Sequence, residues 1–208
     1  LKIKAIILKY NRDQIDEFKE ALKVKKTKPK DKTPKFKKET DWVYSNPERD
    51  EFIVKLSHKC TENTLILFRY TDHGKRIFEK IKNSTNRPVF FVNGEMKSPE
   101  EREAVRQYVI NNEGCIVVAS VGVFSTGINI PNIYNIIFIS PFKAKIEILQ
   151  SIGRGLRVTD TKKSCNLYDI VDDLRYSSTT NYLMEHFVER IELYKREEFN
   201  YRLHQYNL

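Results

Sequence analysis

Long hydrophobic runs are missing from this 208-residue chain. Nothing approaches the roughly 18 consecutive apolar residues of a membrane span, and mean hydropathy is -0.55. The expectation is a soluble globular protein, with no membrane partner. Cysteine is scarce too. Cys60, Cys115 and Cys165 are odd in number, widely spaced and set among apolar residues, a pattern that argues against a disulfide framework or a zinc site. They read as reduced packing residues. His58, His73, His186 and His204 lack metal-ligand spacing, and no metal ligands are assigned. The first residues, Leu1 to Leu8, alternate and then run apolar like a strand, without a cleavage site, so the chain is expected inside the cell, in the cytoplasm. No repeat of solenoid type occurs.

What the chain has in excess is positive charge. Lys and Arg number 37 against 28 Asp and Glu, for a formal net charge of +9 and a pI of about 9.3. Such a balance favours a polyanion such as nucleic acid. The charge is concentrated: nine lysines lie between Lys23 and Lys38, opposed only by Asp31 and interrupted by Pro29 and Pro34. This reads as a solvated loop over about residues 23–41, serving either solubility alone or transient contact with a phosphate backbone.

From residue 64 onward, buried-strand runs alternate with amphipathic stretches, the pattern of a parallel sheet with helices on both faces. The strands are Thr64–Phe68, Pro88–Val92, Cys115–Ala119, Asn135–Ile139 and Asn166–Val171. Between them fall a helix near Asp72–Lys82 and another with Ser98 as N-cap, Pro99 at N1 and Gly114 past its end. The apolar face of the second is read as Val105, Tyr108 and Val109. A loop from Ser120 to Pro131 follows. Three units result: a lead-in segment at 1–60 with the lysine loop and a helix opened by Asn46-Pro47, a sheet domain at 61–175, and a helical extension at 176–208.

The most specific chemistry is in Gln150-Ser151-Ile152-Gly153-Arg154-Gly155-Leu156-Arg157. Gln150, Arg154 and Arg157 stand at i, i+4 and i+7, which is one face of a helix. Each glycine inside it costs about 1 kcal/mol against alanine, so a neighbouring backbone or ligand is expected close by. Paired arginines on that face suit a polyphosphate. The Ser120–Pro131 loop supplies hydroxyls, small residues and Asn129 ahead of a rigid proline, and loops of this kind bind phosphate.

Taken together, these stretches resemble a known family. Ala119-Ser120 through Gly127-Ile128-Asn129-Ile130-Pro131, followed about twenty residues on by Gln-x-x-Gly-Arg-x-x-Arg, resembles motifs V and VI of superfamily 2 helicases. Leu65-Ile66-Leu67-Phe68-Arg69 resembles motif IV, and Phe91-Val92-Asn93-Gly94 with Glu101-Arg102 resembles the block after it. Order and spacing fit across roughly residues 60–175. The resemblance implies an α/β fold: a RecA-like parallel sheet, the second such domain of an ATP-driven DNA motor, with an N-terminal lead-in and a C-terminal helix.

Carried over, the resemblance makes Arg154 and Arg157 arginine fingers at the transferred phosphoryl group. Gln150 supports the nucleotide, and Gly127 with Asn129 couples the nucleotide cleft to the nucleic-acid path. Ser120, the amide of Val121, Arg69 and the Asn93-Gly94 turn hold a DNA backbone, a kind of contact that positions a strand without reading its sequence. The implied cofactors are ATP and Mg2+, and the implied substrate is branched, single- or double-stranded DNA or an RNA–DNA hybrid, remodelled in recombination, repair and replication. The chain departs from many members in having Asn129 for aspartate, Asn93 for histidine, and Gln150-Ser151 for a histidine-arginine pair. The last departure favours a DNA motor over an RNA-specific DEAD-box protein.

Two motifs of a complete motor are not in this sequence. There is no G-x-x-x-x-G-K-[ST] phosphate loop and no acidic motif ending a buried strand. Gly74-Lys75 lacks the earlier glycine, and neither Asp16-Glu17 nor Asp50-Glu51 follows a buried strand. The chain begins without methionine and is expected to be part of a longer protein, so ATP and Mg2+ would be held mainly by a first RecA-like domain of the same polypeptide. Two alternatives stand beside this reading: a non-enzymatic basic nucleic-acid-binding module, or the motor part of a double-stranded DNA translocase or restriction subunit.

Overall fold

A computed structural model describes residues 1–23, 35–95, 98–125, 130–140, 164–176 and 180–208. Seven strands among them form one sheet: β1 (Lys2–Lys9), β2 (Thr64–Phe68), β3 (Val89–Val92), β4 (Ile116–Ser120), β5 (Asn135–Phe138), β6 (Asn166–Asp173) and β7 (Asn200–Asn207). Their order is β3-β4-β2-β5-β6-β1-β7, and every neighbouring pair is parallel. The described helices are α1 (Arg12–Leu22), α2 (Lys35–Ser45), α3 (Pro47–Lys59), α4 (Thr71–Lys82), α5 (Pro99–Asn111), α6 (Val121–Ser125) and α7 (Tyr182–Arg196).

Strands β2 to β5 are apolar at nearly every position because each face of this part of the sheet is covered. Side chains alternate between faces. Leu65, Leu67, Val117, Ala119 and Ile136 pack with Val109 of α5 and with Leu193 and Tyr194 of α7. Ile66, Phe68, Ile116, Val118 and Ile137 face the other way, onto Ile53 and Leu56 of α3 and Ile77 and Ile81 of α4. The predicted helix starts have the expected chemistry: the Asn46 side chain accepts the Arg49 N–H, and the Ser98 hydroxyl accepts that of Glu101.

Four local expectations are corrected. The lysine loop does not reach residue 41: α2 starts at Lys35, because Trp42, Val43 and Tyr44 bury one side of it while Lys35 and Lys37 stay exposed. Part of the Ser120–Pro131 loop is the short helix α6, whose Val123 is buried against the core. Tyr108 is 45% exposed, its ring covering Phe90 at a centroid distance of 5.2 Å. The terminal extension is more than a helix, since β7 follows α7 and pairs with β1 from Lys2↔Asn200 to Lys9↔Asn207. That strand hides from sequence patterning because nearly all its side chains are exposed; its backbone, not its side chains, completes the sheet.

The flanking segments are therefore woven into the sheet, with β1 inserted between β6 and β7. Buried polar contacts fix the weave. On α7, Arg190 Nε and the Tyr194 hydroxyl each donate to Asp169 Oδ2 of β6 at 2.8 Å. On α2, buried Glu39 accepts the Leu183 N–H of α7 at 3.4 Å, and burial pushes its carboxyl up to about 7.

Gly74 shows why Gly74-Lys75 is not a phosphate loop. It lies on α4 directly over β2, and a Cβ there would stand 2.4 Å from Phe68 Cγ. Phe68 has no room to retreat, being fully buried and stacked on Phe91 at 5.3 Å. Gly74→Ala is expected to destabilise the chain by about 1–3 kcal/mol through overpacking, although alanine is the better helix former. Thermal unfolding of the variant beside the parent chain checks this; an unchanged or raised Tm would show that the helix moves off the sheet at little cost.

Candidate nucleic-acid interface

Parallel register brings three distant stretches of sequence into one row. Leu67 of β2 is level with Ala119 of β4, which is level with Val92 of β3, and Phe68 is level with Ser120. The residues that follow, Arg69, Asn93 and Val121, thus emerge side by side at the carboxyl ends of adjacent strands. With strands about 4.8 Å apart, this row is on the order of 10 Å wide, and in open α/β sheets that edge is where ligands sit.

Within it, Arg69 is exposed, and its backbone N–H donates to the Ser140 hydroxyl at 3.0 Å. Its guanidinium lies 5.8 Å from the centroid of the Tyr70 ring. Asn93 is only 7% exposed and is occupied at both ends by Glu95: its Nδ2 donates to Glu95 Oε2 at 3.0 Å, and its Oδ1 accepts the Glu95 N–H at 3.2 Å. The side chain is a turn-former, so the outward-facing part of that turn is Gly94, with open space where a Cβ would stand. Ser120 is half-buried at the end of β4, and Val121 opens α6. Gly127, Asn129, Gln150, Arg154 and Arg157 lie outside the described residues.

Beside the row, sequence reading missed a buried network. Arg49 of α3 is 0% exposed, donating from Nε to Asp172 Oδ1 at 2.8 Å and from Nη2 to the Ile139 carbonyl at 2.9 Å. The Tyr10 hydroxyl donates to the same Asp172 oxygen at 2.7 Å; burial first, and then the neighbouring Asp172 charge, raise the Tyr10 pKa well above its ordinary value. Arg49 and Tyr10 thereby converge on Asp172, and together they tie the ends of β1, β5 and β6. No local signal marks Arg49, since Pro-Glu-Arg-Asp at a helix start looks like an ordinary solvated turn.

The buried aspartates near this edge are engaged by cations. Asp172 takes Arg49, and Asp173 takes Arg175 at 2.7 Å together with Lys9. Despite the cost of burial, Arg175 and Lys9 hold the Asp173 carboxyl down to about 2. Asp50 is buried with Arg76 at 2.7 Å and His73 at 3.4 Å. Burial holds the His73 pKa below its ordinary value. Among the described residues, no group of three or more His, Cys, Asp or Glu is placed to hold a metal ion. Nor is any described helix long and apolar enough to cross a membrane.

A parallel sheet of this order, covered on both faces and carrying those four motif blocks, defines a RecA-like helicase domain. The chain belongs to the helicase conserved C-terminal domain family, whose model matches residues 48–159. Over its whole length it is 36% identical to the ATP-dependent DNA helicase UvsW of Enterobacteria phage T4, of which it spans 41%. The crystal structure of T4 UvsW superposes with a TM-score of 0.80, covering 99% of this chain and 41% of that one at 31% identity. A putative ATP-dependent helicase, IRC3 of Saccharomyces cerevisiae, is 26% identical over 62% of this chain and 19% of its own length.

Proposed function

We propose that this chain is the C-terminal motor domain of an ATP-dependent DNA helicase that remodels branched DNA, by branch migration, fork regression or unwinding of RNA–DNA hybrids, in recombination, repair and replication. The observation that carries the reading is likeness along the entire chain to the phage T4 DNA helicase, in sequence and in fold. The row of Arg69, Gly94, Ser120 and Val121 supports it, being placed to meet the phosphates of one strand without reading bases. The net charge of +9 adds attraction for the polyanion.

In this reading the ATP site is composite. Arg154 and Arg157 stabilise charge on the transferred phosphoryl group, Gln150 supports the nucleotide, and Gly127 with Asn129 links the nucleotide to the strand contacts. ATP and Mg2+ are held mainly by a first RecA-like domain of the same polypeptide, acting in the cytoplasm. The described carboxylates support that division, since Asp172 and Asp173 at the end of β6 are already bonded to arginine, lysine or tyrosine.

The test has two arms. The full-length parent should hydrolyse ATP with stimulation by forked DNA and should unwind that fork; absence of DNA-stimulated turnover would remove the motor reading in favour of a binding module. Displacement of a triplex strand without fork unwinding would indicate a pure translocase instead. The 208 residues alone should neither bind ATP tightly nor hydrolyse it, and turnover by a contaminant-free preparation would defeat the composite site.

A further inference from the structure

We infer that Tyr70 is a stacking platform for one unpaired nucleobase of single-stranded DNA, set beside the phosphate contact of Arg69. The inference rests on the nucleic-acid reading above and extends it from backbone to base. Tyr70 is 40% exposed and, among the described residues, is the large exposed aromatic that stands in the row at the strand ends; Tyr182, equally exposed, lies on α7 beside Phe36. Tyr108 lies on the outer side of α5 against Phe90, and Tyr206 lies on the edge strand against Phe52.

Local structure does not account for this tyrosine. Tyr70 occupies the N-cap of α4, where Ser, Thr, Asp or Asn would satisfy a helical N–H, and its side chain makes no capping bond. What its ring has instead is rigid backing. The Tyr44 ring meets it edge-on at 5.2 Å and 60°, and Tyr44 in turn stacks on His73 at 4.4 Å and 24°. His73 and Tyr44 are both buried, with Asp50 beside the imidazole and Arg76 donating to the Tyr44 carbonyl. A ring supported in this way loses little side-chain freedom when a ligand covers it.

The chemistry of the pair then selects the ligand. Arg69 offers a cation for phosphate and Tyr70 a π-face for the base that follows it, an arrangement that tolerates any sequence because every base has a π-face. In a duplex the bases are paired and stacked on each other, so the ring has nothing to receive. The platform therefore separates single strand from duplex, while Arg69 serves both.

The experiment uses the full-length parent without nucleotide, titrated with a single-stranded oligonucleotide carrying one 2-aminopurine and with a duplex of the same length. Tyr70→Ala is expected to weaken single-strand binding about tenfold and to remove the stacking-dependent fluorescence quench, leaving duplex affinity within about twofold. Tyr70→Phe should keep both properties, and an unchanged Tm in both variants excludes misfolding. Arg69→Ala should weaken single strand and duplex together and lower the salt dependence by about one phosphate contact. Single-strand affinity and quench unaffected by Tyr70→Ala, or single-strand and duplex affinity lost equally, would overturn the platform alone. A wild-type protein that binds neither DNA would overturn the nucleic-acid reading and the platform with it.

Discussion

Arg154→Ala in the full-length parent is expected to lower DNA-stimulated ATP hydrolysis by about 10³-fold or more while leaving DNA affinity within about twofold. A guanidinium aimed at a transferred phosphoryl group meets charge that grows only as the reaction proceeds, so its loss falls on kcat rather than on binding. Lysine should not rescue the rate. Its ammonium is a compact point charge on a flexible stem, without the planar fork that matches phosphate oxygens. The DNA contacts proposed here lie in other segments, at Arg69, Gly94, Ser120 and Val121, which is why affinity for a forked substrate should survive. Steady-state ATPase rates and equilibrium DNA titrations of wild type, Arg154→Ala and Arg154→Lys check the split. Near-normal hydrolysis by Arg154→Ala would take Arg154 out of the finger role, and an equal loss of DNA affinity would make it a strand contact.

Arg49→Ala is expected to cost about 3–5 kcal/mol of stability, because removing one partner of a buried ion pair leaves the other uncompensated. Here the abandoned group is Asp172, 1% exposed, together with the Ile139 carbonyl that accepts from Nη2. For a chain of this size that corresponds to a Tm lower by on the order of 10 °C. Replacing both members, Arg49→Met with Asp172→Leu, should recover much of the loss, since a buried pair and a well-packed apolar pair are often close in energy. Thermal unfolding of the single and double variants measures this. A single variant within about 1 kcal/mol of wild type would mean that water reaches Asp172 once the arginine is gone.

The elements legible in the sequence are those whose burial writes a pattern into side chains. Leu65–Phe68 and Ile116–Ala119 are apolar throughout because both faces are covered, and α3 and α5 are announced by Asn46-Pro47 and Ser98-Pro99. β7 could not be read in that way, because a strand held by backbone pairing at the sheet edge needs no apolar side chains. The same limit hid α2 behind its lysines: composition over 23–41 is dominated by charge, while the packing face of Trp42, Val43 and Tyr44 is at its far end.

The candidate site divides along a similar line. Arg69, Asn93, Gly94, Ser120 and Val121 were nameable from motif blocks, and the alternation of strands and helices was enough to expect them at one edge of a sheet. Their adjacency was not nameable, because β3, β4 and β2 are neighbours out of chain order and only the register of Val92, Ala119 and Leu67 sets them level. Nor could the sequence tell that Asn93 spends its amide on Glu95, or that Arg49 is buried against Asp172, 123 positions away.

Residue order alone therefore determined the fold class, the basic character and the motif chemistry, since periodicity, charge and short-range spacing are properties of the chain. Tertiary structure decided which strand ends share an edge, which polar groups are consumed inside, and that Tyr70 stands on rigid support beside Arg69. Those depend on contacts between residues far apart in sequence, where burial changes what an arginine, an asparagine or a tyrosine can do.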